Sequence, residues 1–198
     1  MTGITSSRAL KRRLFTLAGF VALLWAVQAV NWVTGYGLNA MFGLIPRQLY
    51  GLDGILGMPV LHSSPAHLAS NTAPLILMGV LLVVTATRAL LAVNAVIVGL
   101  GGALVWVFGS AAIHVGASGL VFGWFGFLVV RGFVDRSFVT LGAAILVGVI
   151  YGSILWGVLP GQPGISWEAH LFGAIAGGVA AVLVRARVQA PKVRRGVR

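Results

Sequence analysis

Uncharged apolar sequence fills most of this chain. No Asp, Glu, Lys or Arg occurs within 14–46, 54–87, 89–130, 137–167 or 169–184. A helix crossing a bilayer takes about 20 apolar residues. The intervals therefore predict one, one, two, one and one spans, near 14–34, 66–87, 90–109, 118–134, 138–159 and 168–187. The expected fold class is all-α: a polytopic membrane protein whose six transmembrane helices form one bundle over 14–187. Tails at 1–13 and 188–198 flank it. Between the first two spans, 35–65 is a long connection with Pro46, Pro59 and Pro65. Its apolar residues, among them Met41, Phe42, Leu49 and Leu56, predict a structure lying partly in the lipid interface.

Composition agrees with this picture. The 198 residues are 59% hydrophobic and 9% charged, with a mean hydropathy of +1.00, whereas soluble domains carry about 25% charged residues. A net charge of +11 raises nucleic acid as a partner, but the placement of the charge points to the bilayer instead. With the N-terminus cytoplasmic, every Lys and Arg except Arg47 falls on the inner side, and the opposite threading reverses that bias. Both termini are thus expected in the cytoplasm, and no nucleic-acid partner is expected. Arg8, Lys11, Arg12 and Arg13 precede an apolar run longer than a signal-peptide core, so the run reads as a retained first span. Without cysteine there are no disulfides, thiol nucleophiles or Cys-based metal sites.

A few polar residues interrupt the apolar segments at one depth. Ser118 lies 13 residues before Arg131, about 20 Å along a helix. His170 lies 15 residues before Arg185, about 22 Å by the same rise. Against a hydrocarbon core of about 30 Å, both sit submerged below the outer face. His67 and Asn71, at the outer start of the second span, share a helix face in that layer. Gly116, Gly119, Gly123 and Gly126 recur beside Ser118, and Ala169, Gly173, Gly177 and Ala181 recur beside His170. Small-residue stripes of this kind allow close helix approach. They are common in membrane helices on packing grounds alone.

A serine hydroxyl becomes a nucleophile when a nearby base takes its proton, and neutral histidine is the usual base. Ser118 and His170 suit these roles. Asp135 is on the wrong side, Glu168 faces elsewhere on the helix of His170, and nothing positions Asp53. A Ser-His dyad is therefore expected, without a carboxylate. Backbone N–H groups at the start of the Ser118 helix are unpaired, and with His67 and Asn71 they can stabilise an oxyanion. His62 precedes that pair in the loop without an evident place, and His114 reads as structural. No His-Glu-x-x-His spacing and no pair of carboxylates in one layer is present, so neither metal nor cofactor is expected.

Three motifs, His62-x4-His67-x3-Asn71, Gly116-x-Ser118-Gly119 and Ala169-His170-x2-Gly173-x3-Gly177, resemble those of the rhomboid family of intramembrane serine proteases. The resemblance runs from about residue 14 to 187 and implies a six-span rhomboid-like bundle. It implies Ser118 as nucleophile, His170 as base, and His67, Asn71 and the Ser118 backbone N–H as the oxyanion hole. From the small-residue stripes, Gly116, Gly119, Gly123, Gly173 and Gly177 are expected as packing positions near the site. Phe122 stands where some members have a tyrosine packed on the catalytic histidine, which keeps the stacking and loses the hydroxyl. No Trp-Arg pair is evident in the outer loop. The implied activity is cleavage of transmembrane protein substrates, and the compact layout without an added seventh span suits a multi-pass protein of a prokaryotic plasma membrane. The alternatives are a catalytically inactive rhomboid-like protein that binds membrane helices and, more distantly, a small transporter.

Overall fold

A computed structural model of the chain describes residues 7–86 and 89–189. Residues 1–6, Thr87 at the end of the second expected span, Arg88, and residues 190–198 of the basic tail lie outside the described residues. The described chain is helical, with one isolated β-bridge between Leu44 and His114. Helix α1 is Ser7–Val33 and the short α2 is Gly37–Phe42. The loop then makes a 3-10 turn at Leu49–Gly51, a single turn α3 at Gly54–Gly57, and a second 3-10 turn at Met58–Val60. Helix α4 is Pro65–Thr85. Helices α5 (Leu90–Val96) and α6 (Gly102–Phe108) are joined through a π-helical turn at Ile97–Gly101 into one span. Helix α7 is Ser118–Val134. Helix α8 (Phe138–Tyr151) continues into 3-10 helix over Gly152–Val158, and α9 is Trp167–Gln189.

Five of these spans are long and apolar enough to cross a membrane. The sixth, α7, has 17 residues, about 26 Å at helical rise. It is short because its first residue is already inside the bundle. Helix α7 is also the most enclosed span, with Leu120 through Phe125, Phe127 and Leu128 buried. Helices α4, α8 and α9 pack around it, and α1 lies outside on α4. Phe15, Leu91, Phe138 and Val149 project outward, as lipid-facing side chains do in a membrane bundle.

Absent side chains decide how closely α7 and α9 meet. A Cβ on Gly173 would run into the Gly119 carbonyl, and one on Gly177 into the Gly123 carbonyl. From the other side, a Cβ on Gly126 would strike the Ala174 carbonyl. The two stripes thus face each other, backbone against backbone. Gly116 is different. It lies before α7 with φ +131, a conformation that L side chains rarely adopt, so its role is to turn the chain into the helix rather than to pack a seam.

The outer loop is built onto the bundle. Leu44 pairs both backbone groups with His114, and Arg47 donates to the carbonyls of Val107 and Gly109. Trp106 donates its indole N–H to the Gln48 carbonyl. Met41, Phe42, Leu49, Tyr50 and Leu56 stay exposed, which gives the loop an anchored inner side and an apolar outer one. His114 bonds Ser166 Oγ and the Ser110 carbonyl, and so ties this region to the start of α9.

Candidate active site

The turn before α7 sets the position of Ser118. The Gly116 N–H donates to the Met58 carbonyl at 2.9 Å, and the Ala117 N–H donates to His62 Nε2 at 3.1 Å. The Ala117 carbonyl accepts from Val121 and closes the first turn. The N–H groups of Ser118, Gly119 and Leu120 consequently have no carbonyl within the helix to bond, as at any helix start. They mark the positive end of the α7 dipole. Ser118 itself is half-buried, and Ala117 is fully enclosed.

His62 carries that turn. It is fully buried, and its carbonyl accepts from Asn31 Nδ2 at 3.3 Å and Asn39 Nδ2 at 3.2 Å. Because Nε2 accepts from Ala117, the neutral ring holds its proton on Nδ1. That atom is buried and has no hydrogen-bond partner among the described residues. Burial, followed by the neighbouring His67 ring, lowers the His62 pKa to about 4. The ring is therefore a neutral acceptor at ordinary pH.

His67 stands in the first turn of α4 because Ser64 caps the helix, accepting the His67 N–H, and Pro65 presets the first helical φ. The ring meets His62 edge-on at 5.2 Å and lies against Gly116. A Cβ there would come 2.8 Å from His67 Nε2 and 3.5 Å from Ser118 Oγ. His67 and Ser118 thus border the same small space. Nδ1 of His67 is 3.0 Å from Ser63 Oγ. If Ser63 donates, Nε2 carries the proton and becomes a donor facing that space. Asn71 is buried, and one amide N–H donates to the His67 carbonyl at 3.2 Å, leaving its second N–H uncommitted.

On the opposite wall, Phe122 and His170 stack with ring centroids 4.1 Å apart and planes at 9°. His170 Nδ1 is 2.9 Å from the Gly157 carbonyl. A carbonyl only accepts, so Nδ1 donates and Nε2 keeps its lone pair. The orienting partner of this imidazole is thus a backbone carbonyl. Glu168 instead accepts the Ser110 N–H, Asp135 pairs with Arg131, and Asp53 is exposed at the start of α3. Among the described residues no hydrogen bond joins Ser118 Oγ to His170. Gly119 nevertheless lies over Ala169, its Cβ position 3.3 Å from the Ala169 carbonyl. Helix contacts at 119–169, 119–173 and 122–170 therefore bracket the serine and the histidine in one layer.

Sequence reasoning left two of these parts without a role. His62 was visible as a motif residue, but its grip on Ala117 was not. Gly157 carried no signal, being one glycine in an apolar run.

The sequence model of the rhomboid domain matches residues 46–187. The chain belongs to the rhomboid family. It is an integral, multi-pass membrane protein. This rhomboid is 38% identical over 180 residues to uncharacterized proteins of Mycobacterium tuberculosis and Mycobacterium bovis. Each of those matches covers 86% of this chain and 75% of the relative. It is likewise 38% identical to an uncharacterized protein of Mycobacterium leprae, over 86% of this chain and 71% of that one. No solved structure matches this rhomboid. Helix α1 falls outside the matched domain, yet its Asn31 holds the carbonyl of His62.

Proposed function

We propose that this rhomboid is an intramembrane serine endopeptidase that cleaves transmembrane protein substrates near the end of the bilayer where α7 begins. One observation carries the reading. The His170 ring is stacked on Phe122 and held through Nδ1 by the Gly157 carbonyl, which leaves a basic Nε2 in the layer of Ser118. Nε2 takes the Ser118 hydroxyl proton as Oγ bonds to the scissile carbonyl carbon. The resulting oxyanion is met by the free Ser118 N–H, by His67 Nε2–H and by the spare N–H of Asn71. As the C–N bond breaks, Nε2 returns the proton to the departing amine and leaves an acyl ester on Ser118. Water then gives a proton to Nε2, its oxygen attacks the ester, and the acid is released as Oγ regains a proton.

The inner placement of basic residues supports cytoplasmic termini, and the mycobacterial relatives support a prokaryotic plasma membrane as the setting. The six spans would then form one domain over 14–187, with the tails outside it. In favour of a rhomboid-like protein that binds membrane helices without cutting them is the missing Ser118–His170 hydrogen bond. Catalytic hydrogen bonds are often long before substrate binds, so that gap is compatible with an enzyme. A serine-reactive fluorophosphonate distinguishes the two. Labelling at Ser118 that is lost in Ser118→Ala and His170→Ala, together with loss of transmembrane-reporter cleavage, is the expected result. Unlabelled wild type, or cleavage that survives Ser118→Ala, would refute the protease reading.

A further inference from the structure

Away from the serine, a cleft of about 540 Å³ separates α1 from α5, within the range of roughly 300–1,000 Å³ typical of ligand sites. Phe20 of α1, Leu82 of α4, Asn94 of α5 and Val98 of the π-helical turn line it, and Trp124 of α7 lies in its wall. Pro59 and Val60, from the second 3-10 turn of the outer loop, also line it. Leu56 and Leu91 line it while remaining mostly exposed, so the cleft opens sideways toward lipid.

Polar groups in this wall are already paired, with one exception. The Trp124 N–H donates to Asn94 Oδ1, Asn94 Nδ2 donates to the Leu90 carbonyl, and Thr16 Oγ1 donates to the Arg12 carbonyl. Arg13 also lines the cleft, and its Nη1 is buried with no hydrogen-bond partner among the described residues. A buried guanidinium nitrogen without an acceptor is costly. A phosphate oxygen is the acceptor its planar fork suits best. Arg8, Lys11 and Arg12 on the same helix end add positive charge there. Arg131, in the last turn of α7, is by contrast already paired with Asp135 and the Thr85 carbonyl.

Depth distinguishes an acyl chain from a helix. From Leu90 of α5 to Val98 of the π-helical turn the wall rises about 12 Å, close to one leaflet of a hydrocarbon core of about 30 Å. A transmembrane helix needs the full core. We propose that this cleft is a binding site for one anionic glycerophospholipid, with an acyl chain in the cleft and the phosphate on Arg13. The lipid comes from the leaflet that meets the N-terminal end of α1. The site does not depend on whether Ser118 is reactive.

The test uses the full chain reconstituted in vesicles of equal parts phosphatidylglycerol and phosphatidylethanolamine, solubilised gently and weighed by native mass spectrometry. Wild type is expected to retain one phospholipid per chain, enriched about tenfold in phosphatidylglycerol. Arg13→Gln is expected to lower retention about tenfold, Arg13→Lys to keep most of it, and Thr16→Phe to lower it by filling the mouth. Variants are compared as monodisperse fractions on gel filtration. Phosphatidylglycerol brominated in its acyl chain should quench wild-type fluorescence more than that of Trp124→Phe. No retained lipid on wild type, or retention by Arg13→Gln and Thr16→Phe equal to wild type, would overturn the assignment. Equal quenching of wild type and Trp124→Phe would overturn it too.

Discussion

Replacing Gly157 by alanine tests how the histidine is held without touching any atom that reacts. A Cβ at this position would stand 2.9 Å from His170 Nδ1 and 3.1 Å from Phe122 Cζ, against ordinary contacts of 3.4–4 Å. The ring cannot simply retreat, because Phe122 already stacks on it at 4.1 Å. It must shift by about half an ångström or give up its bond to the Gly157 carbonyl. A misplacement of about 1 Å can cost about 100-fold in rate. The expected loss in kcat is therefore about 10- to 100-fold, or about 1.4–2.7 kcal/mol. KM should change little, since the substituted residue adds no wall that only substrate meets. Gly148→Ala is the control: a Cβ there meets nothing within 4 Å, and a helical Gly→Ala change is stabilising by roughly 0.5–1 kcal/mol. Cleavage of a transmembrane reporter in vesicles gives the rates, and thermal unfolding in detergent tells misplacement from misfolding. Gly157→Ala with wild-type kcat would refute the argument that this carbonyl orients the base.

Gly173→Ala should separate α7 from α9, because its Cβ meets the Gly119 carbonyl. A loss of about 1–3 kcal/mol is expected, read as a lower melting temperature. His62→Ala leaves the Ala117 N–H buried without its acceptor, costing about 1–3 kcal/mol and lowering kcat more than the melting temperature alone explains. The His62 pKa of about 4 lies below the unfolded value, so the unfolded chain protonates first as pH falls. Its contribution is constant above about pH 6.5, and stability falls between pH 6.5 and 4 by up to about 3 kcal/mol. Melting temperatures of wild type and His62→Gln across that window should converge toward pH 4.

Some of this was legible because membranes constrain sequence tightly. The expected span at 118–134 coincides with α7, and the others differ from the helices by a few residues, α1 excepted, which begins at Ser7. Charge-free length marks a crossing whatever its neighbours are. It does not mark how a crossing is built, so the π turn at Ile97–Gly101 and the 3-10 end of α8 were invisible. The small-residue stripes were visible, while their partners were not, since spacing does not say which helix a stripe faces. Loop 35–65 read as interfacial because of its apolar residues. Its inner attachments rest on backbone carbonyls, as at Arg47 and Trp106, and every residue type has a carbonyl. The same blindness hid Gly157.

The long loop does more than meet lipid, and hydrogen-bond supply explains why. A turn that points a serine along a helix dipole has two preceding N–H groups, on Gly116 and Ala117, which need acceptors inside a largely apolar bundle. Met58 and His62 supply them, and both belong to the segment leading into α4. A buried histidine that accepts through Nε2 needs its own backbone fixed, and Asn31 and Asn39 do that through its carbonyl. The sequence of contacts runs from α1 through Asn31, His62 and Ala117 to Ser118. Among the described residues no hydrogen bond joins helix α1 to a proposed catalytic side chain, yet α1 is coupled to the serine because both ends of one residue are engaged. An apolar residue at 62 would fill the space but leave the Ala117 N–H without an acceptor. On this reasoning the first histidine of the motif is a backbone-binding residue, and its neutrality follows from the burial that the turn requires.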